Sequence, residues 1–358
     1  MSDMLITMCV IAYNEEQNIN GILECIKNQD YDHNNMEVVL VDGASTDNTR
    51  ALMCEFALDN KDEFRRVVVL DNPKKTLPSG WNVALREYKG DAIIKVDAHA
   101  VIPEDFVSKN VRVLETGEYI CGGQRPNIID KPTPFKETLL LAESSMFGSS
   151  IASYRNNPGK TYVKSLFHAA YRREVFEKVG FFNEELVRTE DNEIHYRMRK
   201  AGFKLCFDPD IISYQYTRSS LKAMLKQKYA NGYWIGKTSK VCPKCLSIYH
   251  FVPFAFVSAI IASGSVIGAT GLAECIKKRH NHTLGKSIAA LRKVTVVLTT
   301  VMWVLYALMA SGMAAVSAFK AKDKRNITNA CLPVLFLLLH LSYGIGTIAG
   351  LMDKSKRG

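Results

Sequence analysis

The chain has no basic leader ahead of its first apolar run: Asp3 precedes Met4–Ala12, which reads as a buried first strand and argues against an export signal. The nine cysteines (Cys9, Cys25, Cys54, Cys121, Cys206, Cys242, Cys245, Cys275 and Cys331) are odd in number and scattered, which argues against a disulfide framework. Reduced thiols in a cytoplasmic setting fit them better. Cys242-Pro243-Lys244-Cys245 has zinc-like spacing, but a structural zinc site needs about four ligands and only His250 stands near. Charge is nearly absent from three long stretches, about residues 249–273, 294–319 and 330–352. Each approaches the ~20 residues that cross a bilayer as a helix. His340 and a few hydroxyls are the main polar groups inside them, too little for a transport pathway.

What is present divides the chain in two. At 358 residues, with 47% apolar and 23% charged residues, the average is ordinary for globular cores, but charge concentrates before about Lys244. We therefore expect a catalytic domain over residues 1–240 and a membrane domain over 241–358. The net charge of +10 gathers at Lys222–Lys244, Lys277–Arg279, Lys286–Lys293, Lys320–Arg325 and Lys354–Arg357. Basic clusters beside apolar spans point to anionic lipid headgroups and not to nucleic acid. They lie on both connecting loops, so the positive-inside rule does not choose an orientation. Pro253, Gly264, Gly268 and Gly271 leave an interfacial or re-entrant course open for the first span, and Ser287–Lys293 has a pattern suited to lying flat on a membrane.

Before residue 100 the chain alternates strand and helix. The strands are Leu5–Ala12, Val38–Val41, Arg66–Leu70 and Ala92–Val96, separated by helical stretches at Gln17–Asn28, about Asp47–Asn60 and about Ser79–Tyr88. This predicts an α/β fold with a mostly parallel sheet flanked by helices. Ligands of such sheets bind beyond the carboxyl ends of the strands. Ala12-Tyr13-Asn14-Glu15, Asp42-Gly43-Ala44-Ser45 and Asp97-Ala98-His99 each follow a strand, so they share one rim. A single acidic residue there is commonly a turn former or helix cap; three along one rim suggest a site. A second acidic cluster, Thr189-Glu190-Asp191, has the same two readings: a helix start with Thr189 as N-cap, or a catalytic carboxylate pair.

In this order, CVIAYNEEQNI, VVLVDGASTDNT, IIKVDAHA and RTEDNEIHYRMRKAG resemble the signature stretches of inverting family 2 glycosyltransferases with the Rossmann-like GT-A fold. The likeness covers about Leu5 to Trp234 and is nearest to bacterial exopolysaccharide transferases of the succinoglycan-biosynthesis type, which also carry a hydrophobic C-terminal tail. It implies that Ala12, Tyr13, Glu15 and Asp42 hold the nucleoside of a donor, most simply a UDP-sugar. Asp97 and His99 would hold a divalent cation against the diphosphate. His99 stands where the family commonly has a second Asp, which favours Mn²⁺ over Mg²⁺, with orientation of a neighbour as its other reading. Asp191 would be the general base, and Glu190 would raise its pKa by like charge or turn into a hydrogen bond. His168 and Arg172 would wall the acceptor side, with Arg172 or Arg173 facing phosphate or solvent, and Gln227 and Trp234 would pack on the acceptor. Processive members carry Gln-x-x-Arg-Trp; here Gln227 is followed by no Arg-Trp at that spacing, which favours single additions. The implied acceptor is a polyprenyl-diphosphate-linked glycan at the cytoplasmic face of the inner membrane, in extracellular or capsular polysaccharide synthesis. Transfer directly onto polyprenyl phosphate, or a non-catalytic membrane scaffold, are the alternatives.

Overall fold

A computed structural model describes residues 3–148, 159–218, 220–279, 285–321 and 326–354. Seven consecutive buried residues form β1 (Ile6–Ala12). After α1 (Ile19–Lys27), seven more form β2 (Met36–Asp42). Continuous apolar runs of this kind suit strands covered on both faces. In α1, Ile19, Ile22, Leu23 and Ile26 are buried at helical spacing. There follow α2 (Thr49–Asp59), β3 (Arg66–Asp71), α3 (Leu77–Glu87) and β4 (Ala92–Asp97). The side chain of Thr76 caps α3 by accepting the Ser79 N–H, and Pro78 sits in its first turn, where a missing N–H is harmless. These elements match the expected ones to within two residues.

The chain continues through β5 (Ala100–Val101), α4 (Phe106–Glu115), β6 (Ile120–Gln124), β7 (Asn127–Ile128), α5 (Pro134–Ser144), β8 (Thr161–Val163) and β9 (Ala169–Arg172). Then come α6 (Arg173–Val179), α7 (Glu190–Lys200), β10 (Leu205–Ile212), β11 (Tyr214–Tyr216) and α8 (Leu221–Val241). The main sheet has the order β3-β2-β1-β4-β9-β6-β10-β8. Its first four strands are parallel, so β1, β2 and β4 all end on the same rim. Between β4 and β6, β9 runs antiparallel to both. One core packs under α1 and α4 around Val10 and Ile94; the other lies across the sheet around Trp81, Tyr171 and Phe207.

Three helices are long and apolar enough to cross a membrane: α9 (Val252–Arg279), α10 (Lys286–Lys320) and α11 (Leu332–Met352). α9 is one unbroken helix of 28 residues, so the region of Pro253 and the three glycines makes no re-entrant turn. Ser287–Lys293 is the start of α10 and not a separate flat segment. At 35 residues, α10 spans about 52 Å, longer than a ~30 Å hydrocarbon core. Of the basic stretches, residues 322–325 and 355–357 lie outside the described residues, as do the side chains of Lys278 and Arg279. The division expected at residue 240 falls at the end of α8, and α8 packs closely along α11. A Cβ on Gly232 would sit 1.9 Å from the Tyr343 carbonyl oxygen, and one on Gly346 would sit 2.1 Å from that of Tyr229. Small residues spaced by four on both helices permit this backbone approach.

Candidate functional site

The rim is built by two clasped loops. After β1, the Asn14 N–H donates to Ser45 Oγ at 3.0 Å, and Asn14 Oδ1 accepts the Thr46 N–H at 2.8 Å. Asn14 and Ala44 both adopt left-handed backbone, with φ of 54° and 57°; for alanine this is strained and persists only where neighbours hold it. Asp42 is buried, and both its oxygens face the Ser45 N–H at 3.3 and 3.2 Å. Tyr13 is half exposed beside it, with its ring free to meet a ligand.

Across from this clasp, β4 delivers Asp97. Burial alone would raise its carboxyl, but hydrogen bonding and charge from His168, then the charges of His99 and Lys95, hold it well below the usual carboxylate range. His168 Nε2 faces both the Asp97 backbone nitrogen, at 3.3 Å, and Asp97 Oδ2, at 3.8 Å. The other ring nitrogen is 2.8 Å from Ser213 Oγ. His168 therefore supports Asp97 directly. His99 Nδ1 lies 3.3 Å from Glu15 Oε1, and its Nε2 lies 3.2 Å from Gln215 Nε2. The Glu15 hydrogen bond raises the His99 pKa, outweighing burial. Glu15 is lowered in turn: burial pushes it up, but bonds from His99 and Asn18 prevail. Both His99 nitrogens are within hydrogen-bond reach of protein groups, as an orienting role asks. Among the described residues, no three His, Cys, Asp or Glu side chains converge as a metal cage, Cys242 and Cys245 included. An ionised Asp97 still fits a hard cation that takes one protein carboxylate and completes its shell from substrate phosphates.

The second cluster meets the first through Lys95, which the sequence reading did not single out. It lies on β4 two residues before Asp97, so both side chains stand on one face of the sheet. Lys95 Nζ is 2.5 Å from Asp191 Oδ1 and 3.9 Å from Glu190 Oε1, and it sits 5.1 Å above the Trp81 ring. Burial would lower its pKa, but Asp191, Glu190 and Asp97 together raise it. Glu190 is buried, and its Oε2 has no hydrogen-bond partner. Burial, then the charge of Asp191, raises its pKa against the pull of Lys95. Asp191 keeps a 20% exposed side chain, reachable from solvent. Thr189 contributes no side-chain cap to α7; its hydroxyl bonds to Thr238 on α8 instead.

Arg172 departs from its expected place on the acceptor wall. Because β9 runs antiparallel to β4, His168 lies at the Asp97 end, whereas Arg172 pairs with Ala92 at the opposite end, about 13 Å along the strand. There it donates to the carbonyls of Glu118 and Leu114, and Arg173 donates to those of Tyr88 and Gly90. Gln227 and Trp234 sit on α8; Trp234 is buried edge-on against Tyr233, one turn before Thr238. Lys95 had one visible signal: a lone charge inside the apolar strand IIKVD.

A mostly parallel sheet with clasped loops and acidic residues at its strand ends is the architecture of GT-A glycosyltransferases. Residues 7–180 match the family model described as Glycosyl transferase family 2; the chain carries that domain and is a glycosyltransferase. A similar curated protein is the dolichyl N-acetyl-alpha-D-glucosaminyl phosphate 3-beta-D-2,3-diacetamido-2,3-dideoxy-beta-D-glucuronosyltransferase of Methanococcus voltae, 27% identical over 72% of this chain and 80% of that one. Another is succinoglycan biosynthesis protein ExoA of Rhizobium meliloti, 28% identical over 64% of this chain and 68% of its own length. Among solved structures, the mannosyltransferase PcManGT of Pyrobaculum calidifontis, determined with GDP-Man and Mn²⁺, covers 98% of this chain and 88% of that one, with a TM-score of 0.58 and 18% identity. At that identity the likeness speaks for the fold.

Proposed function

We propose that the protein is a membrane-anchored inverting glycosyltransferase that moves a sugar from a nucleoside-diphosphate donor, such as a UDP-sugar, to a polyprenyl-diphosphate-linked glycan. The catalytic domain, residues 1–240, works at the cytoplasmic face of the inner membrane, and residues 241–358 anchor it there. Tyr13, Glu15 and Asp42, with the Ala12 turn, hold the nucleoside. A divalent cation on Asp97, Mn²⁺ by analogy with the mannosyltransferase, neutralises charge on the departing diphosphate when bound. His99 keeps Glu15 and the rim in register, and His168 braces Asp97.

Asp191 accepts the proton of the acceptor hydroxyl as its oxygen attacks the anomeric carbon opposite the leaving group. Lys95 holds Asp191 through one oxygen and leaves the exposed carboxylate to meet the acceptor. The observation that carries this reading is the Lys95 bridge, which joins the strand of Asp97 to the Glu190-Asp191 pair. The names of the curated relatives, one acting on a dolichyl-phosphate glycoside and one in succinoglycan biosynthesis, support a lipid-linked acceptor.

The test incubates membranes containing the protein with a panel of nucleotide sugars, with and without Mn²⁺ or Mg²⁺, and measures nucleoside diphosphate release. Release from one donor, dependent on cation and on lipid-linked acceptor, is the expected result. Absence of turnover with every donor and acceptor would refute the proposal.

A further inference from the structure

A cavity of about 290 Å³ lies where α7, residues 164–165 and the segment leading into α9 meet. It approaches the lower end of small-molecule sites, the size of a headgroup more than of a whole ligand. Four cations line it, Lys164, Arg199, Lys200 and Lys244, and none of its lining residues is a carboxylate. Among the described residues no salt bridge engages any of the four. Like charges around one hollow repel, and an anion between them relieves that repulsion.

The wall is fixed. Arg199 Nη1 donates to the Lys164 carbonyl, and Ser165 Oγ lies 3.1 Å from His195 Nδ1, which is also tied to Tyr171 through its other nitrogen. Its level in the molecule is equally defined. Ile248, 89% exposed, opens the first membrane-length apolar segment, and Tyr249, beside the cavity, suits the bilayer interface. An anion here would sit at headgroup depth.

We propose that this cavity binds the phosphate ester anion of a lipid, and that the source is the diphosphate of the lipid-linked acceptor. This rests on the function proposed above. Asn192, the residue after Asp191, lines the cavity with Tyr196 and Arg199, so one face of α7 carries it. Arg199 lies eight residues beyond Asp191, about 12 Å along the helix axis. A diphosphate held there would stand about 12 Å along α7 from the level of the base, so under this proposal the attacking hydroxyl belongs to a sugar and not to the lipid phosphate.

The test uses the full chain in phosphatidylcholine nanodiscs and follows lysine acetylation by mass spectrometry, with inorganic pyrophosphate, a polyprenyl diphosphate or phosphatidylglycerol added. Polyprenyl diphosphate is expected to slow labelling of Lys164, Lys200 and Lys244 about tenfold while exposed Lys222 is unaffected, and pyrophosphate to do so at higher concentration. Equal or stronger protection by phosphatidylglycerol would overturn the acceptor as source, and no protection by any of the three would overturn the site. The footprint needs no turnover, so pyrophosphate protection in a protein that glycosylates no lipid would uphold the site while refuting the function. As a second readout, Lys200→Glu with Lys244→Glu, both exposed, should raise the acceptor KM about tenfold and leave the donor KM unchanged. An unchanged acceptor KM would also contradict the proposal.

Discussion

Asp97 and Glu190 flank the same lysine, and their surroundings push them in opposite directions. Asp97 has His168, His99 and Lys95 around it, and its carboxyl is held ionised. Glu190 is buried with one oxygen unpartnered and a like charge beside it, and its carboxyl is held toward the neutral form. Two carboxyls separated in this way can serve two roles within one site. Under the proposed function, Asp97 would keep its negative charge for a cation on the donor side, while Glu190 stands beside the Lys95–Asp191 ion pair on the acceptor side. On that proposed function the environment of each side chain, and not its residue type, separates the two roles.

Substitutions sharpen that contrast, beginning with the largest effect. Asp191→Asn should lower turnover by about 10³-fold, read as nucleoside diphosphate release, because the lost step is proton removal. Lys95→Met leaves two acidic groups without their buried counter-charge and should destabilise the protein by about 3 kcal/mol, measured by thermal unfolding in detergent. Adding Glu190→Gln to that variant should recover part of the loss; purely additive effects would break the proposed coupling. Asp97→Asn should weaken cation-dependent donor binding by about 2 kcal/mol, seen by titration calorimetry. Gly346→Leu pushes α8 from α11 and should cost about 2 kcal/mol of stability. It should also raise the acceptor KM through the Thr189–Thr238 contact, with donor affinity untouched.

A further effect concerns pH. The folded protein holds the Glu190 proton above the pH at which the unfolded chain releases it, so this group's contribution falls as pH rises through the ordinary carboxylate range toward the raised value. Glu190→Gln should remove that decline, so that its stability relative to the parent improves between pH 5 and pH 8 in parallel melts. A decline of unchanged slope would assign it to another group.

The parallel half of the fold was legible because β1, β2 and β4 are apolar runs that end in polar turns, and strand ends gather on one rim. Asp97, Glu15, Asp42 and Asp191 are candidates on that basis and by family likeness. Long-range pairing was not legible. Arg172 lies four residues from His168, yet the antiparallel course of β9 carries it to the other end of the sheet. The Glu15–His99 pair joins residues 84 apart, and the Lys95–Asp191 pair joins residues 96 apart. No local pattern encodes either.

The central claim is that the two clusters divide donor binding from proton removal. Calorimetric titration of the nucleotide sugar found by the donor panel into Asp97→Asn and Asp191→Asn, each with and without Mn²⁺, tests it most directly. The account predicts that Asp191→Asn binds donor as the parent does and keeps the Mn²⁺ dependence, while Asp97→Asn loses both. Equal loss of donor affinity in the two variants, or Mn²⁺-dependent binding that survives Asp97→Asn, would contradict it.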